Sequence, residues 1–286
     1  MENNSTPKTQ RTKQILGLVG SPRKLGNCEV FIKDIFSKID APCELNLIRL
    51  PSLNIKPCNA CYGCIMGNPC PNTDDMGFLL ESIAASDAII IVTPVYYLGA
   101  HSIFKRILDR GFLFYNYIEK THNKPCILVN IYGIKDRIGV SSQMLMTFAS
   151  FLCLDIKETV YIKAALPGEI LMDVNNRNKA GALADLLFSD KKQGRKTGCP
   201  YCGCDIARIE NEKLICTLCH SYFSMDNQGN RSKIKDGGIL GPPEHMYKHK
   251  EWLKGMKNRF FQNKKEILKT SIPYKDMGKW IKPPIS

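Results

Sequence analysis

Eight of the thirteen cysteines fall into two tight groups, and their spacing is the strongest chemical signal in the chain. Cys58-x2-Cys61-x2-Cys64-x5-Cys70 sets four thiolates on one loop of 13 residues, with Gly63, Gly67, Pro69 and Pro71 supplying bends. Thiolates this close together favour a [4Fe–4S] cluster over a zinc site or free, disulfide-forming thiols. Cys199-x2-Cys202 and Cys216-x2-Cys219 are instead two knuckles with 13 residues between them, the zinc-ribbon or rubredoxin-like arrangement for one tetrahedral ion. Zinc is the expected occupant and iron the alternative, with Cys204 and His220 as adjacent spare ligands. Cys28, Cys43, Cys126, Cys153 and Cys204 read as structural.

A third signal carries no metal. Ile15–Val19 is a short apolar run that ends in Gly20-Ser-Pro-Arg-Lys-Leu-Gly-Asn27, and from Cys28 to Ile39 the apolar residues recur at helical spacing. A loop between strand and helix presents backbone N–H groups, a hydroxyl and an arginine at the positive helix end, which suits an anion. His101 is a candidate proton donor, although a lone histidine at a helix start more often caps it.

Those residues need elements to hold them. Strands are expected near 44–50, 88–93, 126–131 and 156–162, alternating with helices near 75–86, 102–114, 139–152 and 175–189. The alternation implies a five-stranded, doubly wound parallel α/β sheet, with ligands at the carboxyl ends of its strands. The expected domains are a disordered 1–14, a main domain 15–190 containing the cysteine loop 58–70, a ribbon module 195–225 after a polar linker, and a basic helical tail 226–286.

Charge follows that division. The net +13 is carried by residues 191–286, with 20 Lys+Arg against 9 Asp+Glu, while residues 1–190 hold 20 against 18. A basic amphipathic helix over 244–269 puts Leu253, Met256, Phe260 and Ile267 on one side, a stripe expected to pack on the main domain. Its lysines point to an acidic electron carrier or, less favoured, nucleic acid. No apolar run approaches the roughly 20 residues of a membrane span, and Met1 to Gln14 has no secretion signal, so a cytoplasmic chain with no membrane contact is expected.

Gly-Ser-Pro-Arg-x-x-Gly-Asn after the first strand resembles the phosphate loop of the NAD(P)H-dependent FMN reductase branch of flavodoxin-like proteins. Thr93-Pro-Val-Tyr-Tyr97 and Ser102-x-x-Lys105-x-x-x-Asp109-Arg110 extend that resemblance. It implies that Ser21, Arg23, Gly26, Asn27 and Cys28 hold an FMN phosphate, and that Pro94, Val95, Tyr96 and Tyr97 line the isoalloxazine, with Asn130 to Gly133 completing the ring site. The chain departs from that family at Cys28, usually Thr or Ser, and at Asn130-Ile-Tyr-Gly133, where a Thr-Gly-Gly-like turn is common.

The first cysteine group resembles that of iron–sulfur flavoproteins within the same branch. That resemblance implies an FMN-dependent oxidoreductase or electron-transfer protein using NAD(P)H or a ferredoxin-like carrier, assembled as a homodimer or homotetramer. The competing reading is a redox-sensing nucleic-acid-binding protein that uses the ribbon and the tail.

Overall fold

Ile15, Val19, Ile90, Val92, Ile127 and Val129 are buried on one face of a sheet, while Leu16, Leu18, Ile89, Ile91 and Leu128 are buried on the other. Strands covered on both faces carry such continuous apolar runs because neither side meets water. In the computed structural model, which describes residues 11–190, 198–238, 240, 242–275, 277, 278 and 281, these strands are β1 (Lys13–Val19), β3 (Ala88–Tyr96) and β5 (Pro125–Tyr132). They are flanked by β2 (Cys43–Arg49) and β6 (Asp155–Lys163), and the two-residue β4 (Gly99–Ala100) pairs antiparallel with the end of β3. The parallel order is β2-β1-β3-β5-β6. This is the flavodoxin-like doubly wound sheet, and its direction of winding reverses between β1 and β3.

Helices α1 (Asn27–Phe36) and α6 (Val174–Leu187) cover one face; α2 (Met76–Ala85), α3 (Ser102–Leu108) and α5 (Ser141–Phe151) cover the other. Phe148 of α5 is fully buried and meets Phe104 and Phe114 edge-on, with ring centroids 6.1 and 5.8 Å away. Each such buried ring or aliphatic side chain contributes about 1.5–3 kcal/mol from burial.

Four boundaries differ from the sequence expectation for physical reasons. Residues 1–10 of the expected disordered stretch lie outside the described residues, but Lys13 and Gln14 belong to β1, where the Gln14 N–H donates to Asp87 (2.7 Å). The expected helix 102–114 stops at Leu108, then continues as a 3-10 turn (Gly111–Asn116) and a short α4 (Ile118–Thr121), because Arg110 turns inward to an acidic partner. α5 begins at Ser141, since Gly139 is left-handed (φ +58°). The ribbon, a four-stranded antiparallel sheet of β7 (Ala207–Glu210), β8 (Lys213–Cys216), β9 (Tyr222–Met225) and β10 (Arg231–Lys235), runs on past residue 225.

The tail forms α7 (Pro243–Ser271), a helix of 29 residues. Met246 and Leu253 are buried with Ile65, Tyr115, Ile118 and Cys153, and the Tyr115 hydroxyl lies 2.6 Å from His249 Nδ1. The stripe therefore packs only at its N-terminal half; Phe260 and Ile267, expected to be covered, are exposed. No helix among the described residues is long and apolar enough to cross a membrane.

Candidate functional site

The loop after β1 leaves the sheet at the β1/β3 switch point. The Gly20 N–H donates to the Val92 carbonyl (2.7 Å), and a Cβ at position 20 would lie 2.8 Å from the Phe104 ring and 2.9 Å from that carbonyl oxygen, so only glycine fits there. Ser21 is buried and its Oγ accepts the Arg23 N–H (3.3 Å). α1 opens behind Gly26 with no side-chain cap, leaving its first-turn N–H groups for an anion. Arg23 is exposed with no acidic partner among the described residues.

Two expected phosphate residues use their side chains elsewhere. Asn27 donates to the Leu166 carbonyl (2.9 Å) and accepts the Ile170 N–H (3.2 Å), tying the loop to the segment after β6. Cys28 is buried in the core, where desolvation pushes its thiol up to about 12; its side chain offers nothing to a phosphate.

Two residues that sequence reasoning missed hold this loop in shape. Arg49, the last residue of β2, donates to the carbonyls of Ser21 (3.0 Å) and Arg23 (2.7 Å) and to the Glu29 carboxylate (2.7 Å). Glu29 also pairs with Lys33 (2.7 Å) and accepts the Leu25 N–H (2.9 Å), fixing Leu25 in a left-handed conformation (φ +51°). The Lys33 bond, outweighing burial, and the Arg49 bond together hold its carboxyl down from about 4.5 to about 2. A carboxyl depressed on folding contributes stability above its ordinary pKa, and the contribution is lost as pH falls from about 4.5 to about 2. Glu29→Gln is expected to lose about 1–3 kcal/mol near neutrality, and its deficit against wild type should vanish over that acid window in urea unfolding. A deficit that did not change with pH would show that the charge of Glu29 is not the anchor.

β3 projects beyond the sheet and turns back at Tyr97 (φ +47°) and Leu98 (φ +64°), two consecutive left-handed residues with side chains. Such a turn is a strained form of the tight hairpin connection. It is clamped from outside: the Val140 N–H donates to the Leu98 carbonyl (2.7 Å), and a Cβ at Gly139 would lie 2.0 Å from that same oxygen. Tyr97, Leu98, Ile134 and Val140 stand exposed here, while Pro94 and Val95 are half-buried and Tyr96 is exposed at the end of the strand.

Asn130 sits at the carboxyl end of β5, opposite Thr93, and is fully buried. Its Nδ2 donates to the Val160 carbonyl (3.5 Å), but its Oδ1 has no hydrogen-bond partner among the described residues. A buried amide oxygen left without a donor is expensive unless a ligand supplies one. Gly133 follows three residues on, half-buried against Ala165. His101 caps α3: its Nδ1 accepts the Ile103 N–H (3.1 Å), which leaves the proton on Nε2, and burial lowers its pKa, keeping the ring neutral.

The cysteine loop lies between β2 and α2. Ala60 (φ +49°), Tyr62 (φ +59°) and Gly67 (φ +87°) are left-handed, so the chain wraps rather than extends. Its ends are pinned together, the Lys56 N–H donating to Asp74 (2.8 Å) and the Asn72 amide to the Pro57 carbonyl (2.9 Å). Cys58 and Cys61 are exposed; Cys64 and Cys70 are half-buried, and burial raises the Cys64 thiol. The four line a shallow, solvent-open pocket with Tyr62 and Arg110. Arg110 is buried, forms an ion pair with buried Asp74, and donates to Cys70 Sγ at 3.3 Å. Burial works against ionising Asp74, but the Lys56 N–H and the guanidinium outweigh it and hold its pKa low.

The second group has a different geometry. Cys199 and Cys219 sulfurs are 3.7 Å apart, those of Cys202 and Cys216 are 3.5 Å apart, and all four lie within 4.8 Å of one another. A single ion with metal–sulfur bonds of about 2.3 Å needs tetrahedral edges of about 3.8 Å, so this quartet fits one ion. Cys58, Cys61, Cys64 and Cys70 do not form such a group; among the described residues only the ribbon quartet does. A cluster in which each thiolate binds its own iron needs that wider spread. Cys204 is buried beside the quartet with its thiol toward the Ile206 carbonyl (3.8 Å), and His220 points to solvent. Asp205 ties the ribbon to the main domain, accepting from Ser142 (2.8 Å) at the start of α5 and from the Tyr161 hydroxyl of β6.

The pattern of the NADPH-dependent FMN reductase family matches residues 14–166, just over half of the chain, and ends before the ribbon. An iron-sulfur flavoprotein of Archaeoglobus fulgidus is 32% identical over 96 residues, covering 33% of this chain and 44% of that protein. One of Methanosarcina thermophila is 33% identical over 101 residues, covering 35% and 53%. The chain thus spans about half the length of the curated relatives it matches. A solved flavone reductase superposes with a TM-score of 0.71 at 17% identity, covering 94% of this chain and 99% of that one, so its fold includes counterparts for nearly the whole molecule. With a loop into an uncapped helix at the β1/β3 switch point, further loops after β3 and β5 at the same end of the sheet, and a family match over that same segment, the chain belongs to the NADPH-dependent FMN reductase family.

Proposed function

We propose that the protein is an FMN-dependent oxidoreductase of the iron–sulfur flavoprotein type, which moves electrons between NAD(P)H or a one-electron carrier and a small acceptor. The observation that carries the reading is the unpartnered, fully buried Asn130 Oδ1 near the carboxyl end of β5, in a sheet whose β1/β3 switch point opens on the uncapped, anion-suited α1. When bound, FMN takes up hydride and releases electrons singly, and a [4Fe–4S] cluster relays single electrons.

The chain's own residues bind and orient. Ser21, Gly26, the backbone of Asn27 and Cys28, and the free guanidinium of Arg23 would receive the phosphate. Pro94 to Tyr97, Asn130 and Gly133 would border the ring, with Asn130 Oδ1 accepting a ring N–H. Cys58, Cys61, Cys64 and Cys70 would carry the cluster, and Cys199, Cys202, Cys216 and Cys219 a zinc or iron ion. Neutral His101, fixed by its cap, is a positioned neighbour of the ring site rather than a required acid. The exposed apolar tips after β1, β3, β5 and β6, among them Leu25, Leu98, Ile134 and Leu166, support a homodimer or homotetramer that covers the flavin.

Anaerobic purification with FMN, iron, sulfide and zinc quantified per chain tests this. About one FMN, four iron, four sulfide and one zinc are expected, with about five iron and no zinc if the ribbon holds iron. Zinc alone, without flavin or sulfide, would overturn it.

A further inference from the structure

The distal half of α7 stands free beside the exposed edge of the cysteine loop. Between them lies an open cleft, with Cys61 and Tyr62 on one wall and Met256, Lys257, Phe260 and Phe261 on the other. The helix is anchored by buried Met246 and Leu253 and by the Tyr115–His249 contact, so its direction is set before it leaves the body. Beyond the anchor its apolar residues are bare: Phe260 is 46% and Phe261 58% exposed, and Ile267, Leu268 and Ile272 are exposed too. Over Pro243–Ser271 there are eight Lys and Arg against three Glu. Only Lys254 and Lys269 form ion pairs on the helix, leaving Lys257, Arg259, Lys264 and Lys265 without acidic partners among the described residues.

We propose that this cleft is the docking surface for an acidic one-electron carrier protein, which seats an apolar edge against Phe260 and Phe261 and its carboxylates against the lysines. A second copy is disfavoured, because antiparallel pairing of two such helices would set lysines against lysines. A docked carrier reaches Cys61, an exposed cysteine of the loop. The electron step, which rests on the cluster reading above, is simple: the reduced carrier loses one electron and the cluster gains it, with no bond or proton moved. Opposite charge on the two faces speeds encounter and fixes orientation, while buried aromatic anchors supply the affinity.

The test is anaerobic binding of the full, cofactor-loaded chain to an immobilised acidic ferredoxin, with basic cytochrome c as control. Affinity should fall at least ~10-fold between about 50 and about 300 mM salt. Phe260→Ser/Phe261→Ser and Lys257→Glu/Arg259→Glu should each weaken binding by at least ~10-fold while FMN content stays unchanged. Binding indifferent to salt and to both pairs of substitutions would overturn the proposal. So would duplex DNA binding tighter than ferredoxin and losing affinity in the same lysine variant, or loss of a dimer on size-exclusion in the aromatic variant. Iron and sulfide are measured on the same samples. Their absence would sink the cluster reading and the electron step while intact salt-dependent docking kept the surface, whereas a cluster reduced equally fast in wild type and variants would sink the surface alone.

Discussion

Cys216→Ser is expected to release the C-terminal metal ion and dissolve the ribbon as an ordered unit. The four strands β7 to β10 are four or five residues long and bury little beyond Ile215, Leu218, Phe223 and the cysteines themselves. A sheet that small does not hold together on apolar burial alone. Its stability comes from the ion, and four-ligand structural sites of this kind contribute on the order of 10–16 kcal/mol in isolated peptides. Cys216 is the most consequential of the four, because it ends β8 and its sulfur accepts the Leu218 N–H (3.4 Å) as well as facing Cys202.

Hydrogen exchange should show protection lost across 204–235 in the variant, and likewise in wild type stripped by a chelator, while β1, β3 and β5 exchange as before. The effect should reach one step into the main domain. Asp205 would no longer hold Ser142 and Tyr161, so the first turn of α5 should exchange faster. Protection that survived removal of the metal would show that the ribbon stands on its own core.

How far such features are readable from sequence depends on whether the signal is local. Gly20 to Asn27 was legible because an apolar run, a glycine and a helical period lie side by side, and together they fix strand, loop and helix. The residues that hold that loop were not legible, since Arg49, at the end of β2, meets Glu29, in the first turn of α1, from 20 positions away in the chain. That the Cys28 side chain turns away from the loop was not legible for a similar reason: position 28 is the second residue of α1, and whether it faces the loop or the sheet depends on how the helix is rolled on the core. The ribbon's ligands were local pairs and emerged as a quartet, but Asp205 between them carries no pattern that would announce its hold on Tyr161.

The tail shows the limit of periodicity. Leu253, Met256, Phe260 and Ile267 do share a side of α7, yet the body against which they were expected to pack ends near the cysteine loop, and the period of a helix contains no information about the extent of its neighbour. The helix over 102–114 likewise had the right apolar spacing. It breaks because a buried guanidinium at position 110 must reach Asp74, and no helical pattern reports that.

Arg110→Met should produce the second large effect, and its two parts have separate causes. Both members of the pair are buried, the Arg110 side chain 2% and the Asp74 side chain 1% exposed, so removing the cation strands a carboxylate away from water. Breaking a buried pair this way costs about 3–5 kcal/mol. Asp74→Asn in the same protein should recover part of that, because the uncompensated charge disappears, although the Lys56 and Met76 N–H groups bond to different oxygens of Asp74 and asparagine keeps an acceptor for only one of them.

The second part is electronic, and the double variant recovers only as much of it as the loss of the Asp74 charge offsets, because the hydrogen bond to Cys70 stays lost. The guanidinium donates to Cys70 Sγ, and on the proposed reading, in which Cys70 ligates the cluster, it carries positive charge next to a thiolate whose negative charge would grow on reduction. Its removal should therefore disfavour reduction at least ~10-fold, a shift of about 59 mV to more negative potential for one electron, in redox titration of cluster-loaded protein. Arg110→Lys separates the two contributions of the side chain, since lysine keeps the charge with a shorter reach. A potential near wild type in Arg110→Lys and depressed in Arg110→Met would assign the effect to charge, while depression in both would assign it to the directed N–H···S bond. An unchanged potential in both would show that Arg110 serves only to close the loop through Asp74.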